Sequence, residues 1–347
     1  MSHLVTGGCG FVGSNVTARL IKRGERVIVC DNLSRAGSIE NLTWLRSLGE
    51  IEFVRADVRN AGEIAAVVST HRPDVIFHLA GQVAMTTSMQ DPRTDFETNV
   101  IGSFNLLEAV RAAVPMATVV YASSNKVYGD LTTVPLREGA LRFTAPGHPH
   151  GVDESAPLDF QTPYGCSKGA ADQYMLDYAR VYGLNTVVFR HSTIYGGRQF
   201  ATFDQGWVGW FCRQALAQKN NPSAAPFTIA GSGKQVRDLL FVDDAVDAYF
   251  AAAAHVTAAR GQAFNIGGGM PNSSSLLELF VQLGQLAGVT LRYERLPWRH
   301  SDQHFFVADN RKAQRLLDWT PKIDKAAGVS RMVDWTSAMD DSAPTTS

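Results

Sequence analysis

The run Thr6-Gly7-Gly8-Cys9-Gly10-Phe11-Val12-Gly13 constrains this chain more than any other segment. It joins a strand-like stretch, His3 to Thr6, to an amphipathic stretch from Val12 to Arg23. Gly7, Gly10 and Gly13 let the backbone turn tightly, approach an anion and seat a helix close on the strand. The helix start offers unpaired N–H groups and the positive end of its dipole. Alone, such a turn is also compatible with a plain tight strand-to-helix connection. The next apolar run, Arg26–Asp31, ends in an acid 18 residues after Gly13. A carboxylate there can accept both ribose hydroxyls of NAD and would repel the extra phosphate of NADP. Arg35 works against that preference. Asp57, after a third run, can reach an adenine amine or simply cap a helix.

Short β-branched runs at Arg26–Asp31, Ile51–Asp57, Val75–Gly81, Thr118–Ser124, Asn185–His191 and Ala263–Gly267 alternate with helical patterns at Val12–Arg23, Ala61–Thr70, Gly102–Ala113 and Ser167–Tyr182. Nearly all-apolar strands in this rhythm predict an α/β fold with a doubly wound parallel sheet covered on both faces. After residue 192 glycine, aromatic and polar residues dominate, which predicts a smaller C-terminal α/β substrate lobe. The expected division is 1–191 plus about 236–267 for the cofactor domain and about 192–235 plus 268–336 for the second lobe. The small polar residues 337–347 are expected to fray. The composition, 45% hydrophobic and 19% charged over 347 residues, is that of an ordinary globular protein. A net charge of -1 gives no reason to invoke nucleic acid or an acidic membrane. The four cysteines are scattered without a CxxC, and no apolar run is long enough to span a bilayer. A soluble protein of the reducing cytoplasm is expected.

The catalytic candidate is Tyr164-Gly165-Cys166-Ser167-Lys168, whose Tyr and Lys at i and i+4 share one helix face. A phenol is a poor base at its ordinary pKa near ~10. A neighbouring ammonium and a cationic nicotinamide favour the phenolate, which can then take a proton from an alcohol. Ser124, at the end of the run Thr118–Ser124, can donate to the same alcohol oxygen. Parallel-sheet sites form at such carboxyl ends.

Taken together, the glycine turn, the strand-end Asp31, His78-Leu79-Ala80-Gly81, Asn99-Val100, Ser123-Ser124-Asn125-Lys126-Val127-Tyr128-Gly129 and the Tyr164–Lys168 motif resemble the extended short-chain dehydrogenases, the sugar nucleotide epimerases and dehydratases. The resemblance covers about residues 3–335 and implies a Rossmann domain with NAD. It implies that Ser124, Tyr164 and Lys168 form the catalytic triad, with Tyr164 moving the proton and Lys168 holding the nicotinamide ribose and lowering the Tyr pKa. Cofactor contacts are implied at Gly7, Gly10, Phe11, Val12 and Gly13 in the first turn. Asp31 and Asn32 would follow the second strand and Asp57 and Val58 the third. Leu79, Ala80 and Gly81 lie after the fourth, and Asn99, Tyr164 and Lys168 on helices.

Substrate contacts are implied at Gln82, Ser88, Ser124 and Asn125, at Thr193 and Gln199, and at Arg237, Arg299 and Asp302. Arg237 would face the pyrophosphate of a sugar nucleotide and Asp302 its ribose. Surface ion pairing is the alternative for these charged residues. The segments 80–88, 163–182 and 189–212 are most similar to the branch of the family that inverts C2 of CDP-linked dideoxyhexoses. Met85, Phe200, Trp207 and Trp210 suit a deoxygenated sugar there. A UDP-hexose 4-epimerase or a GDP-sugar 2-epimerase stays open. Dehydratase chemistry is disfavoured, because relatives of that type carry Asp-Glu where Asn125-Lys126 stand. A non-catalytic NAD-binding regulator would not need the Tyr–Lys pair. The Pro-, Gly- and His-rich stretch between Tyr128 and Tyr164 reads as a substrate-side flap. His148 and His150 lack the further ligands of a metal site, so no metal is expected. The helices Gly102–Ala113 and Ser167–Tyr182 resemble the family's dimer-forming pair, implying a homodimer or a homotetramer.

Overall fold

Alternate residues of the apolar strands turn to opposite sides, and a helical layer covers each side. A computed structural model describes residues 1–299 and 301–341. Seven strands form the main sheet. They are β1 (Ser2–Thr6), β2 (Arg26–Asp31), β3 (Glu52–Arg55), β4 (Val75–His78), β5 (Thr118–Ser124), β6 (Asn185–His191) and β7 (Gln262–Ile266). The order is β7-β6-β5-β4-β1-β2-β3, and every pairing is parallel. Val5, Val29, Phe77, Val120 and Val187 pack on one side with the helices Phe11–Lys22 and Val242–Ala254. Their neighbours Leu4, Ile28, Ile76, Val119 and Val188 pack on the other, under the helices Ala61–His71, Gly102–Ala113 and Thr162–Tyr182. The order in which successive strands are added reverses between β1 and β4, the switch point at whose carboxyl ends parallel sheets form their crevice.

The second lobe is built around the strand Val236–Phe241. It pairs with Thr193–Tyr195 and Phe305–Phe306 in parallel and with Ser273–Ser275 antiparallel. This corrects the expectation that the chain rejoins the first lobe at 236. The strand belongs to the small sheet, and the return begins with helix Val242–Ala254, which packs on the main sheet. An apolar strand carries no local mark of which sheet it joins. Tyr195, Phe211, Phe227 and Phe280 extend the first-lobe core into this lobe.

The stretch between Tyr128 and Tyr164 straps onto the second lobe. Phe143 N–H donates to the Lys234 carbonyl at 3.0 Å and Val152 N–H to the Val307 carbonyl at 2.7 Å. Tyr128, Val152, Val236 and Phe306 share a small core beneath it. The last helix, Lys325–Asp341, carries residues 337–341 in regular structure, contrary to the expected fraying. Residues 342–347 lie outside the described residues. Among the described residues, no helix is long and apolar enough to cross a membrane.

Candidate active site

The glycine turn and the loop after β4 meet at backbone contact. Gly7 has φ +68, and a Cβ there would lie 2.6 Å from the Ala80 nitrogen. A Cβ on Gly13 would lie 2.0 Å from the Gly7 carbonyl oxygen, so the helix can approach the turn only with glycine there. The helix Phe11–Lys22 starts from Gly10, and no side chain caps its first N–H groups. That cradle of bare backbone fits a pyrophosphate. Asp31 is buried, and its carboxylate accepts from Cys9 N–H at 2.9 Å and Leu33 N–H at 2.8 Å. Burial raises its pKa against those two bonds. Asp31 therefore ties the glycine turn to the end of β2 at the place where a ribose would be read.

Asn32 donates to Asp57 at 3.0 Å, and Arg59 grips Asp57 through two bonds of 3.0 and 2.8 Å. The Arg59 bonds, against burial, bring the Asp57 carboxyl down to about 2. Val58 packs in the core beside this loop. Asn99 supports the neighbouring loop from within. Its amide donates to the Gln82 carbonyl at 3.1 Å and Ser167 Oγ at 3.0 Å, and its carbonyl accepts Gln82 N–H at 2.9 Å. Leu79, Ala80 and Gly81 lie on that loop. A Cβ on Gly81 would stand 3.7 Å from Lys168 Nζ.

Ser124 ends β5, and Tyr164 and Lys168 lie in the first two turns of helix Thr162–Tyr182. Ser88 fixes the start of that helix by accepting Tyr164 N–H at 3.2 Å. Lys168 Nζ stands 4.4 Å over the Tyr121 ring. Burial pulls the ammonium down to about 7, against the carboxylates of Asp95 and Asp172. Burial pushes the Tyr164 phenol up to about 12, Ser124 favours its ionisation, and Asp95 opposes it. The expected lowering of the Tyr pKa by Lys168 is therefore not a property of the protein alone. Burial dominates the shift of the phenol in the protein alone. A buried cluster holds the strand end still. Asp172 pairs with Arg190 through two bonds of 2.9 Å and accepts the Ser123 hydroxyl at 2.8 Å.

Further out, Arg237 donates to Asp302 at 3.0 Å. Arg299 lies 5.1 Å over the Phe203 ring. Thr193 accepts the Trp207 indole at 3.2 Å, and Asn125 donates to Gln303 at 2.9 Å. The side-chain Oε1 atoms of Gln82 and Gln199 are buried without a hydrogen-bond partner. Trp210 stacks edge-on to Phe203. Phe200 instead packs on Gly37 and edge-on to Trp335, at the seam between the lobes. Among the described residues, no three His, Cys, Asp or Glu gather as metal ligands.

Three residues of the site escaped the sequence reading as participants. Lys126 donates to the Ser301 carbonyl at 2.9 Å. Burial and Arg237 pull its ammonium down to about 8, against Asp302 and Asp130. Gln303 and Asp95 are fully buried beside the catalytic strand end and beside Lys168. Lys126 had a signal, a cation two places after Ser124. Gln303 had none, because its partners are distant in sequence, and Asp95 bonds Asn99 four places on but meets Lys168 only through the fold.

A glycine cradle at a sheet switch point, with Ser124 at the end of β5 and Tyr164 and Lys168 on the helix beside it, fits a dinucleotide-dependent enzyme acting on an alcohol. Residues 3–267 match the NAD dependent epimerase/dehydratase family. The chain belongs to that family, and NAD is its cofactor. It is 55% identical over 331 residues to the CDP-paratose 2-epimerase of Salmonella typhi, covering 95% of this chain and 98% of that protein. It also resembles the UDP-glucose 4-epimerase of Thermotoga maritima solved with UDP-glucose. That structure is 30% identical with TM-score 0.82, covering 98% of this chain and 99% of that one. The UDP-glucose 4-epimerase of Thermus thermophilus in complex with NAD is 28% identical with TM-score 0.80, over 97% and 99% of the two chains.

Proposed function

We propose that the protein is an NAD-dependent epimerase that inverts C2 of a CDP-linked dideoxyhexose, interconverting CDP-paratose and CDP-tyvelose. The observation that carries this reading is the 55% identity, over nearly the whole of both chains, to a CDP-paratose 2-epimerase. The glycine cradle and Asp31 would hold NAD, with Asp57 at its adenine end and Lys168 at its nicotinamide end. Bound NAD would supply a reversible hydride acceptor for the sugar carbon and, in its oxidised form, a positive ring beside Tyr164. That charge supplies what Tyr164 lacks, and the phenolate takes the proton of the C2 hydroxyl. Ser124 donates to the same oxygen and holds it while the carbon is a ketone. The ketone presents its other face, and Tyr164 returns the proton to the oxygen. Arg237, Arg299 and Asp302 would hold the nucleotide, with Gln82 and Gln199 offering acceptors to the sugar.

We place the enzyme in the cytoplasm, consistent with four unpaired cysteines, three of them buried. We also assign a homo-oligomer through the outer faces of Gly102–Ala113 and Thr162–Tyr182, where Phe104, Tyr174, Val181 and Tyr182 stand exposed. The direct test of the activity is NMR of the protein with CDP-paratose. Appearance of CDP-tyvelose is expected, with deuterium at C2 retained and none gained from D₂O. Solvent deuterium at C2 would replace the proposed chemistry by proton abstraction at carbon. Inversion at C4 alone would hand the substrate to the UDP-hexose reading.

A further inference from the structure

Lys126 lies two residues after Ser124, in the short helical turn Asn125–Tyr128 that Ser124 caps, and its own N–H donates to Ser124 Oγ at 3.2 Å. The side chain is half-buried and crosses to the second lobe, where Nζ donates to the Ser301 carbonyl at 2.9 Å. An ammonium carries three donors, and among the described residues that carbonyl is the only hydrogen-bond partner of Nζ. The carboxylate next in the chain, Asp302, gives its ion pair to Arg237 at 3.0 Å and not to Lys126.

Three cations gather here. Burial and Arg237 pull the Lys126 ammonium down to about 8, with Arg299 adding, against Asp302 and Asp130. Burial also lowers the Arg237 guanidinium. Like charges brought together at low dielectric oppose one another, and a bound anion relieves them. Two of the three, Arg237 and Arg299, are the residues assigned to the nucleotide. Lys126 differs from Arg237, on strand Val236–Phe241, in being carried by the turn that holds Ser124.

That placement bears on which carbon reacts. In a sugar nucleotide the phosphate sits on C1, the immediate neighbour of C2. An enzyme that brings the C2 oxygen to Ser124 brings that phosphate close to the same strand end. A reaction at C4 puts the phosphate across the ring, away from Ser124. We propose that Lys126 is a substrate-binding residue that holds the sugar-side phosphate of the nucleotide sugar, and so presents C2 rather than a carbon across the ring to Ser124 and Tyr164. The proposal deepens the function assigned above and rests on it for the identity of the reacting carbon.

The test compares CDP with CMP by calorimetry on the NAD-bound protein. CDP carries the phosphate assigned to Lys126, and CMP lacks it. In Lys126→Met, CDP affinity is expected to fall about 10- to 100-fold, the scale of one charge-assisted hydrogen bond. CMP affinity and bound NAD should stay within about threefold, since neither involves that phosphate. A structural role alone, steadying the Asp302 arm through the Ser301 carbonyl, would weaken CMP and CDP alike. An equal loss for both nucleotides, or an unchanged CDP affinity, would overturn the proposal. Should Lys126→Met not fold, Lys126→Gln keeps a donor for Ser301 without the charge and carries the same expectations. The crystal structure of the unaltered protein with CDP decides independently. Nζ within hydrogen-bond distance of the terminal phosphate supports the assignment, and that phosphate held by other residues alone overturns it. Inversion at C4 by the unaltered protein would overturn both readings. Binding of UDP in place of CDP fails only the nucleotide assignment, and the UDP and UMP pair then tests Lys126 in the same way.

Discussion

The proposed reaction asks Tyr164 to give up a proton near neutrality, yet its surroundings push the phenol up to about 12. The same dryness that raises it makes any charge placed beside it count for more, since interactions strengthen as the local dielectric falls. In the proposed reaction the positive nicotinamide of bound NAD would supply such a charge. Tyr164→Phe keeps the ring and removes the phenol, so the fold and bound NAD should persist while turnover falls by about 10²–10⁴. Turnover near normal in that variant would remove Tyr164 from the chemistry. Asp31 accepts from the Cys9 and Leu33 amides, and in the proposed function it would also read the ribose of NAD. Asp31→Ala is expected to loosen NAD and narrow the preference over NADP. Mass spectrometry of the dinucleotide released from denatured protein checks this. NADP as the main dinucleotide in the unaltered protein would contradict the assignment.

Between elements, the pair Asp172–Arg190 is the joint that matters most to the site. Asp172 on helix Thr162–Tyr182 takes two bonds from Arg190 on β6 and one from Ser123 on β5, all in the buried interior. Arg190 also donates to the Tyr128 hydroxyl at 3.0 Å, which reaches Asn265 on β7 at 2.7 Å. One charged cluster thus fixes the strand end bearing Ser124 against the helix bearing Tyr164 and Lys168. Removing a single partner leaves an uncompensated buried charge. Asp172→Ala should lower unfolding free energy by about 3–5 kcal/mol. Denaturant titration measures it, and a loss below about 1 kcal/mol would show that the site is held by packing alone. The apolar runs and helical patterns of the first lobe were legible as elements because each obeys one period. Strand ends were less so, and the run expected at Ile51–Asp57 forms a strand only over Glu52–Arg55.

For the molecule as a whole, two buried histidines set a limit in acid. Burial, with Lys168 adding, lowers His78 and His191 to about 3. Both are neutral in the folded protein, whereas in the unfolded chain they protonate near 6.5. The unfolded state then binds more protons below that value. Their contribution to stability is complete above it and is lost as pH falls toward 3. At pH 5 each should have cost about 2 kcal/mol. His191→Phe is expected to reduce the stability difference between pH 7 and pH 5 by about that amount in denaturant titrations. An unchanged difference would show that His191 is protonated in the folded state. From the sequence alone came the parallel sheet, the glycine cradle, the acid after β2 and the Ser–Tyr–Lys set. Each is written in a local run whose spacing or period carries the physics. What only the tertiary structure decided has partners far apart in the chain. Val236–Phe241 found its sheet through strands 193–195, 273–275 and 305–306. The shift of Tyr164 came from burial among segments no spacing relates, and Gln303 met Asn125 across 178 residues. Pairing, burial and hydrogen-bond polarity depend on which groups face each other, and that is settled only when the whole chain has packed.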